Sequence, residues 1–167
     1  MKLNIFEGKD YKRLEVGVKV VLQRVREAAV EVGGVTRGCV GQGVCLLIGI
    51  EKGDSEEDAD YLANKIVDLR IFADEEGKMN LSLADIGGEV LAVSQFTLAG
   101  SVKKGRRPSF DNVEEPRRAE ALFNGFAQII RARGIKVETG VFGGVMNVRL
   151  VNDGPVTFCI QSKNSST

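Results

Sequence analysis

Apolar residues near the start of the chain fall into short runs that predict β-strands. Residues 18–25 and 28–32 are rich in Val and predict the two strands of a hairpin-like start, the second of them ended by Gly33-Gly34. The glycines that follow, as far as Gly43, are expected to form turns. Residues 44–50 are a continuous apolar run with the length of a buried strand. Three strands are therefore predicted before the first helix.

Two later segments have the 3.6-residue spacing of amphipathic helices. Apolar side chains recur on one face of residues 56–70, and Ser55 with Asp58 has the spacing of a capping box just before them. Pro116 suits the first turn of a second helix, and Gly134 suits its end. Both helices are predicted to place one apolar face on a core.

The remaining strand candidates complete the fold prediction. Residues 91–98 predict a strand between the helices, and three more candidates follow the second helix at 135–138, 146–151 and 156–161. The order is two strands, strand and helix twice, then three strands. This order predicts an α+β domain with sheet layers and two helices on one face.

The composition narrows the possible chemistry. The chain has 0 His, which excludes Ser-His-Asp and Cys-His nucleophile activation and His-ligated zinc. Trp is also 0 and aromatic residues are 6%, so a platform that stacks several bases is not expected. The 23 basic and 23 acidic residues cancel. Any contact with RNA must therefore come from local charged patches.

The cysteines and the N-terminal sequence indicate the cellular compartment of the protein and whether it binds a metal. Cys39, Cys45 and Cys159 include no C-x-x-C pair, so we expect reduced, buried thiols and neither a disulfide framework nor a metal site. This composition favours the cytoplasm. The N-terminus lacks the apolar region of a secretory signal, and no apolar run is long enough to span a bilayer. No cofactor and no membrane contact is predicted.

Three segments contain residue types that are unusual for their structural setting. Ser94-Gln95-Phe96-Thr97 ends an apolar strand with hydrogen-bonding side chains, which suits either a pocket or a strand with one face in water. The segment from Asn152 to Thr157 has ordinary turn chemistry between two predicted strands. A basic loop, defined here as residues 101–109, suits either phosphate contact or solvent exposure; its cations are Lys103, Lys104, Arg106 and Arg107.

Five short segments then occur in an order that is specific when they are taken together. They are Gln23-Arg24-Val25, Arg70-Ile71-Phe72 followed by Gly77-Lys78-Met79-Asn80, Ser94-Gln95-Phe96-Thr97-Leu98, Arg107-Pro108-Ser109-Phe110, and Asn152-Asp153-Gly154-Pro155-Val156-Thr157. In these segments the chain resembles the D-aminoacyl-tRNA deacylase family, in its bacterial and eukaryotic form. The resemblance runs from about residue 18 to residue 161. Family members begin near Val18, so residues 1–17 are interpreted as an extension or a misassigned start, 18–161 as a single domain and 162–167 as a polar tail.

The resemblance implies an α+β esterase that acts as a homodimer in the cytoplasm. It would hydrolyse the ester between a D-amino acid and the 3′ adenosine of tRNA and reject L-aminoacyl-tRNA. The family's Ser-Gln-Phe-Thr strand lines its active site, which places Ser94 in substrate binding and Gln95, Phe96 and Thr97 in catalysis. Gly154 and Pro155 would form the family's cis Gly-Pro element, which reaches into the pocket of the partner subunit. This implication replaces the turn expected from the residues alone.

A mechanism without histidine is consistent with this substrate. An aminoacyl ester is activated, so donors aimed at the oxyanion and a positioned water suffice. We assign the donors to the N–H groups around Phe96 and Thr97, assisted by Gln95, and interpret Thr97 as a positioning hydroxyl, although a nucleophilic role stays open. Carbonyls near Gly154-Pro155 would exclude L side chains by clash, so glycyl esters are also expected to be cleaved. The alternative is a dimeric binding module without catalysis.

Overall fold

The computed structural model describes residues 17–103 and 105–162, and these form a curved sheet with two helices. The strands are β1 Lys19–Val32, β2 Val35–Val40, β3 Gly43–Gly49, β4 Phe72–Ala73, β5 Met79–Leu81, β6 Glu89–Ser94, β7 Val137–Thr139 and β8 Asn147–Gln161. The helices are α1 Glu56–Asp68 and α2 Pro116–Ala132, and a short 3-10 helix covers Phe96–Ala99. The α+β prediction is confirmed.

The sheet is organised around the long strand β1. The strand order is β2-β1-β3-β6-β7, and β8 pairs with β1 as well. Residues 19–23 of β1 pair with both β3 and β8, so β8 lies on the opposite edge of β1 from β3. β3, β6 and β7 run parallel to one another. A Cβ on Gly38 of β2 would lie 3.1 Å from the Thr139 oxygen of β7, so the curled sheet comes close to closing into a barrel.

Successive side chains of a strand point to opposite faces of the sheet, and the apolar ones form two separate clusters. Val20, Leu22 and Leu46 face the helices and pack with both of them in the larger cluster. Val25 and Leu91 point to the other face and belong to a smaller cluster within the curl of the sheet. Both helices therefore lie on one face of the sheet, as predicted.

The helix ends follow the sequence signals. Ser55 caps α1, with its side chain accepting from the Asp58 N–H while the Asp58 carboxylate accepts from the Ser55 N–H. Pro116 occupies the first turn of α2. Proline lacks a backbone N–H, but the first N–H groups of a helix have no partner within it, so no hydrogen bond is lost. Gly134 follows α2 with φ of 79°, a conformation that suits glycine. Among the described helices, none is long and apolar enough to cross a membrane.

Several strand predictions were wrong in their boundaries. The segments 18–25 and 28–32 form one strand, because β8 pairs with β1 on both sides of a bulge near Val25. The predicted turns between Gly33 and Gly43 include β2, which forms the hairpin with β1 across Gly33-Gly34. The segments 146–151 and 156–161 are likewise one strand, β8.

Other differences concern the middle of the chain and the cysteines. The strand predicted at 91–98 ends at Ser94 and is followed by the 3-10 helix. The strands β4 and β5 are too short to show a hydrophobic period in the sequence.

The three cysteines differ in burial. Cys45 is buried, and burial raises the pKa of its thiol to about 11. Cys39 and Cys159 are exposed, so the prediction of buried thiols was wrong for both.

Candidate active site

The Ser94-Gln95-Phe96-Thr97 segment lies where the buried strand β6 leaves the sheet. Ser94 is the last residue of β6 and pairs with Ile48 of β3. The Gln95 N–H donates to the Ile48 oxygen over 2.7 Å, and the chain then turns into the 3-10 helix. Gln95 is half-buried, whereas Phe96 and Thr97 are exposed. The sheet therefore presents these polar groups at the C-terminal end of β6, which lies between β3 and β7.

The side chains and backbone of this turn form a cluster of hydrogen-bonding groups. Gln95 Nε2 donates to Thr97 Oγ1 over 2.5 Å. The first N–H groups of a helix have no partner within it, and here they belong to Phe96 and Thr97. Within the described residues, neither N–H donates to another protein group. The turn thus offers two backbone donors beside an amide and a hydroxyl.

A glycine on the neighbouring strand allows this turn to pack closely. A Cβ on Gly49 of β3 would lie 2.7 Å from Leu98 Cβ and 3.1 Å from the Gln95 oxygen. Any larger residue would push the 3-10 helix away from the sheet. The position of Gln95 and Thr97 is therefore fixed by backbone contact with β3.

The second predicted segment is a bulge inside β8. The Asn152 side chain spans it, with Oδ1 accepting from the Val156 N–H over 3.0 Å and Nδ2 donating to the Val156 oxygen over 3.1 Å. Gly154-Pro155 is a cis peptide, as expected, and both residues are exposed. A Cβ on Gly154 would overlap the Val156 nitrogen. The bulge therefore presents an exposed backbone that only glycine can form at that position.

Arg24 is a functional candidate that the sequence reasoning missed. Its Nε donates to the Asp153 oxygen over 2.8 Å and lies 3.3 Å from the Asp153 carboxylate, while Nη1 donates to the Ile71 oxygen over 2.5 Å. Its side chain is only 13% exposed. A charged residue in the apolar run of β1, inside one of the five segments, was the available signal. Arg24 fixes the backbone immediately before Gly154.

The two predicted segments do not meet within one chain. Ser94 lies level with Ile48 of β3 and Val20 of β1, whereas the Gly154 bulge lies beside residues 23–25 of β1. Between β6 and β8 there are three strand spacings of about 4.8 Å each. Gln95 and Gly154 are thus separated both across the strands and along them.

The basic loop begins just after the turn that carries Thr97, and its two ends are joined to each other. Ser101 and Ser109 exchange two backbone hydrogen bonds of 2.8 Å. Lys103, Arg106 and Arg107 are exposed, and within the described residues their side chains form no ion pair. Lys104 lies outside the described residues. The described cations are therefore available beside the predicted site.

The described residues contain no cluster of metal-binding side chains. No group of three or more Cys, Asp or Glu side chains there is arranged to hold a metal ion. The polar groups of the turn after β6 are a neutral amide, hydroxyls and backbone groups. Such groups suit hydrogen bonding to a substrate ester.

Comparison with known proteins identifies the family. The family model described as D-Tyr-tRNA(Tyr) deacylase matches residues 21–161. A D-aminoacyl-tRNA deacylase of Bacillus velezensis is 56% identical over 146 residues, which are 87% of this chain and 99% of the relative. One of Persephonella marina is 59% identical over 143 residues, 86% of this chain and 97% of the relative. The solved structure of a c-Myc DNA unwinding element binding protein superposes with a TM-score of 0.81 at 39% identity, covering 87% of this chain and 99% of that one.

These matches agree with the architecture and with the five sequence segments. The chain belongs to the D-Tyr-tRNA(Tyr) deacylase family. The alternative of a binding module without catalysis receives no support from the comparisons.

Proposed function

We propose that this protein hydrolyses the ester between a D-amino acid and the 3′-terminal adenosine of tRNA, and rejects L-aminoacyl-tRNA. The observation that carries the proposal is the turn after β6, in which Gln95 donates to Thr97 beside two backbone N–H groups that have no partner among the described residues. Membership of a deacylase family supplies the reaction class, since relatives at 56% and 59% identity are named D-aminoacyl-tRNA deacylase.

In this mechanism the turn stabilises the negative charge that develops on the ester. Water attacks the carbonyl carbon, and the carbonyl oxygen becomes an oxyanion that accepts from the N–H groups of Phe96 and Thr97, assisted by Gln95. The ester C–O bond then breaks, and the 3′ oxygen takes up a proton. The products are the free amino acid and tRNA. Removal of one such donor typically costs about 10²- to 10³-fold in rate.

Thr97 is assigned as a positioning hydroxyl. Within the described residues, no carboxylate or amine hydrogen-bonds its Oγ1, which instead accepts from Gln95. A nucleophilic hydroxyl needs an adjacent base, and the chain has 0 His. The 2′-hydroxyl of the terminal adenosine would help to orient the attacking water.

Selection against L-amino acids is assigned to the backbone of the β8 bulge. Arg24 and Asn152 hold the backbone on both sides of Gly154-Pro155. Carbonyls fixed in this way would crowd the position of an L side chain and leave a D side chain free. Glycine has no side chain to clash, so glycyl-tRNA would be cleaved too.

This assignment requires a homodimer in which Gly154-Pro155 of one subunit completes the site of the other. The separation of Gln95 and Gly154 within one chain supports it. The strand β8 supports it as well, because in the described structure its 15 residues pair only with β1 and its surface exposes Val151 and Phe158. A long unpaired edge with apolar side chains is typical of a surface that another chain covers.

Substrate capture is assigned to the basic loop. Lys103, Lys104, Arg106 and Arg107 would contact phosphates of the tRNA. The formal net charge of the chain is zero, so attraction to RNA would depend on this local patch.

The catalytic proposal is tested by following the loss of D-tyrosine from D-tyrosyl-tRNA. We expect Gln95→Leu to lower the rate at least about 100-fold. The matched control is Gln128→Leu, on the exposed side of α2, which should retain the wild-type rate. Mass spectrometry of rapidly quenched mixtures should find no acylated Thr97. Wild-type protein that leaves D-tyrosyl-tRNA intact would refute the activity, and an acylated Thr97 would refute its positioning role.

The shared site is tested by mixing two defective chains. Gly154→Ala chains alone should lose D-over-L selectivity, and Gln95→Leu chains alone should lose activity. With an excess of Gln95→Leu chains, each Gly154→Ala chain would receive an intact Gly154 from its partner. Selectivity should then return. Selectivity that stays at the Gly154→Ala value in mixed dimers would show that each chain uses its own Gly154.

A further inference from the structure

Two exposed phenylalanine rings lie side by side at the root of the basic loop. Phe96 is 55% exposed and Phe110 is 41% exposed. Their ring centroids are 5.2 Å apart, and the ring planes are tilted by 58°. Two large apolar side chains that touch each other at the surface form an exposed apolar patch. Such a patch is typical of a binding surface.

The local backbone holds Phe110 in this position. A Cβ on Gly100 would lie 2.8 Å from Phe110 Cε1, so the ring rests directly on the backbone that follows the 3-10 helix. The two hydrogen bonds between Ser101 and Ser109 bring the chain back beside its starting point. Beyond the ring, Lys52 donates from Nζ to the Asp111 oxygen over 2.7 Å. The backbone therefore sets the position of the Phe110 ring beside Phe96.

The position of the pair indicates which ligand it suits. Phe96 lies between Gln95 and Thr97, the groups assigned to the ester, and Phe110 follows the basic loop. A strand whose 3′ end sits at Gln95 and Thr97, and whose phosphates reach the loop, would pass over the two rings. Aromatic side chains stack on unpaired bases of any sequence, and cations beside them bind the phosphates.

We propose that Phe110, with Phe96 beside it, binds the base of the nucleotide that precedes the terminal adenosine of the aminoacylated strand. This inference rests on the proposed function. It adds a second nucleotide to the recognised substrate and assigns the contact to stacking, without a preference for one base. The chain has few aromatic residues, but two rings are enough for this contact because only one base is bound.

The test compares short substrates with the wild-type protein. D-Tyrosine is esterified to the 3′ end of the trinucleotide CCA and of an analogue that lacks the middle base. The wild-type protein should show a KM about 5- to 150-fold lower for the intact trinucleotide, the range expected for one stacked base. Equal KM values for the two substrates would overturn the proposal, whatever the behaviour of any variant.

Variants locate the contact. Phe110→Leu keeps an apolar side chain but removes the flat ring, so the ratio of the two KM values should fall close to one. Phe110→Tyr keeps the ring and should preserve the ratio. Tyr61→Leu, on the exposed face of α1, is the control and should also preserve it. A ratio in Phe110→Leu equal to the wild-type ratio would assign the base to another surface. D-Tyrosyl-tRNA that stays intact with wild-type protein would instead refute the activity itself.

Discussion

The guanidinium of Arg24 donates to the main-chain oxygen of Asp153 over 2.8 Å, across the boundary between β1 and the bulge of β8. Asp153 directly precedes Gly154, so a side chain on one strand sets the backbone that we assign to chiral selection. The same guanidinium reaches the Ile71 oxygen. Arginine serves this role because its planar group donates in several fixed directions at once.

Arg24→Lys should therefore weaken the discrimination between D- and L-aminoacyl-tRNA. Lysine keeps the charge but cannot donate to Asp153 and Ile71 in the same geometry. We expect the ratio of D- to L-tyrosyl-tRNA hydrolysis rates to fall about tenfold or more. Arg26→Lys is the control, because Arg26 pairs with the Asp153 carboxylate at 3.2 Å but is 75% exposed. An unchanged ratio of D- to L-tyrosyl-tRNA hydrolysis rates in Arg24→Lys would show that Arg24 has no role in the selection.

Gly154→Ala should have a related effect through sterics. The added Cβ would overlap the Val156 nitrogen, so the bulge must shift and carry its carbonyls with it. We expect the D-to-L rate ratio to fall at least about tenfold while the protein stays folded. Gly125→Ala is the matched control, since a Cβ there meets nothing within 4 Å and alanine is favoured in a helix. Full selectivity in folded Gly154→Ala would place the selection elsewhere.

The basic loop should control the salt dependence of tRNA binding. Changing Lys103, Lys104, Arg106 and Arg107 to Ala should weaken binding and flatten the plot of log K against log salt. Each lost phosphate contact changes that slope by about 0.7 to 0.9. Lys65→Ala on α1 serves as the control. Identical affinity and slope in the fourfold variant would show that tRNA binds on another surface.

Cys45 should resist alkylation in the native protein. Burial raises the pKa of its thiol to about 11, so at pH 8.5 the native thiol is neutral and inaccessible. The exposed Cys39 should react with iodoacetamide under the same conditions. Because the pKa is raised in the native protein, the stability contributed by keeping this thiol neutral is present below its ordinary pKa of 9.0 and is lost as pH rises towards 11. Mass spectrometry before and after unfolding checks the assignment, and rapid native modification of Cys45 would contradict it.

Local chemistry explains which parts of the fold were predictable from the sequence. The capping box of Ser55 and Asp58 and the Pro116 at the start of α2 are signals that act within a few residues. They located both helices within two residues of their ends. The apolar periods of those helices also identified the face that packs on the sheet.

The strands were harder because their ends depend on distant partners. The segment from Asn152 to Thr157 contains turn residues, yet it stays in β8 because β1 pairs on both sides of it. The chain leaves the sheet at Ser94 because Gly49 on β3 lets the 3-10 helix pack there. Neither contact is visible in the local sequence.

The candidate site shows the same division. Gln95 and Thr97 were predicted from the family resemblance, and the hydrogen bond between them supports their pairing. Arg24 was missed because its role depends on Asp153, which lies 129 positions away in the sequence. A single sequence carries no direct record of such a contact.

The most direct measurement compares three substrates that differ only at the α-carbon or in the absence of a side chain. Purified protein is incubated with D-tyrosyl-tRNA, L-tyrosyl-tRNA and glycyl-tRNA, and loss of the amino acid is followed over time. Selection by backbone clash predicts that the D-tyrosyl and glycyl esters are hydrolysed while the L-tyrosyl ester persists. Glycyl-tRNA that resists enzyme levels sufficient to clear D-tyrosyl-tRNA, or L-tyrosyl-tRNA that is lost at the same rate, would contradict the account.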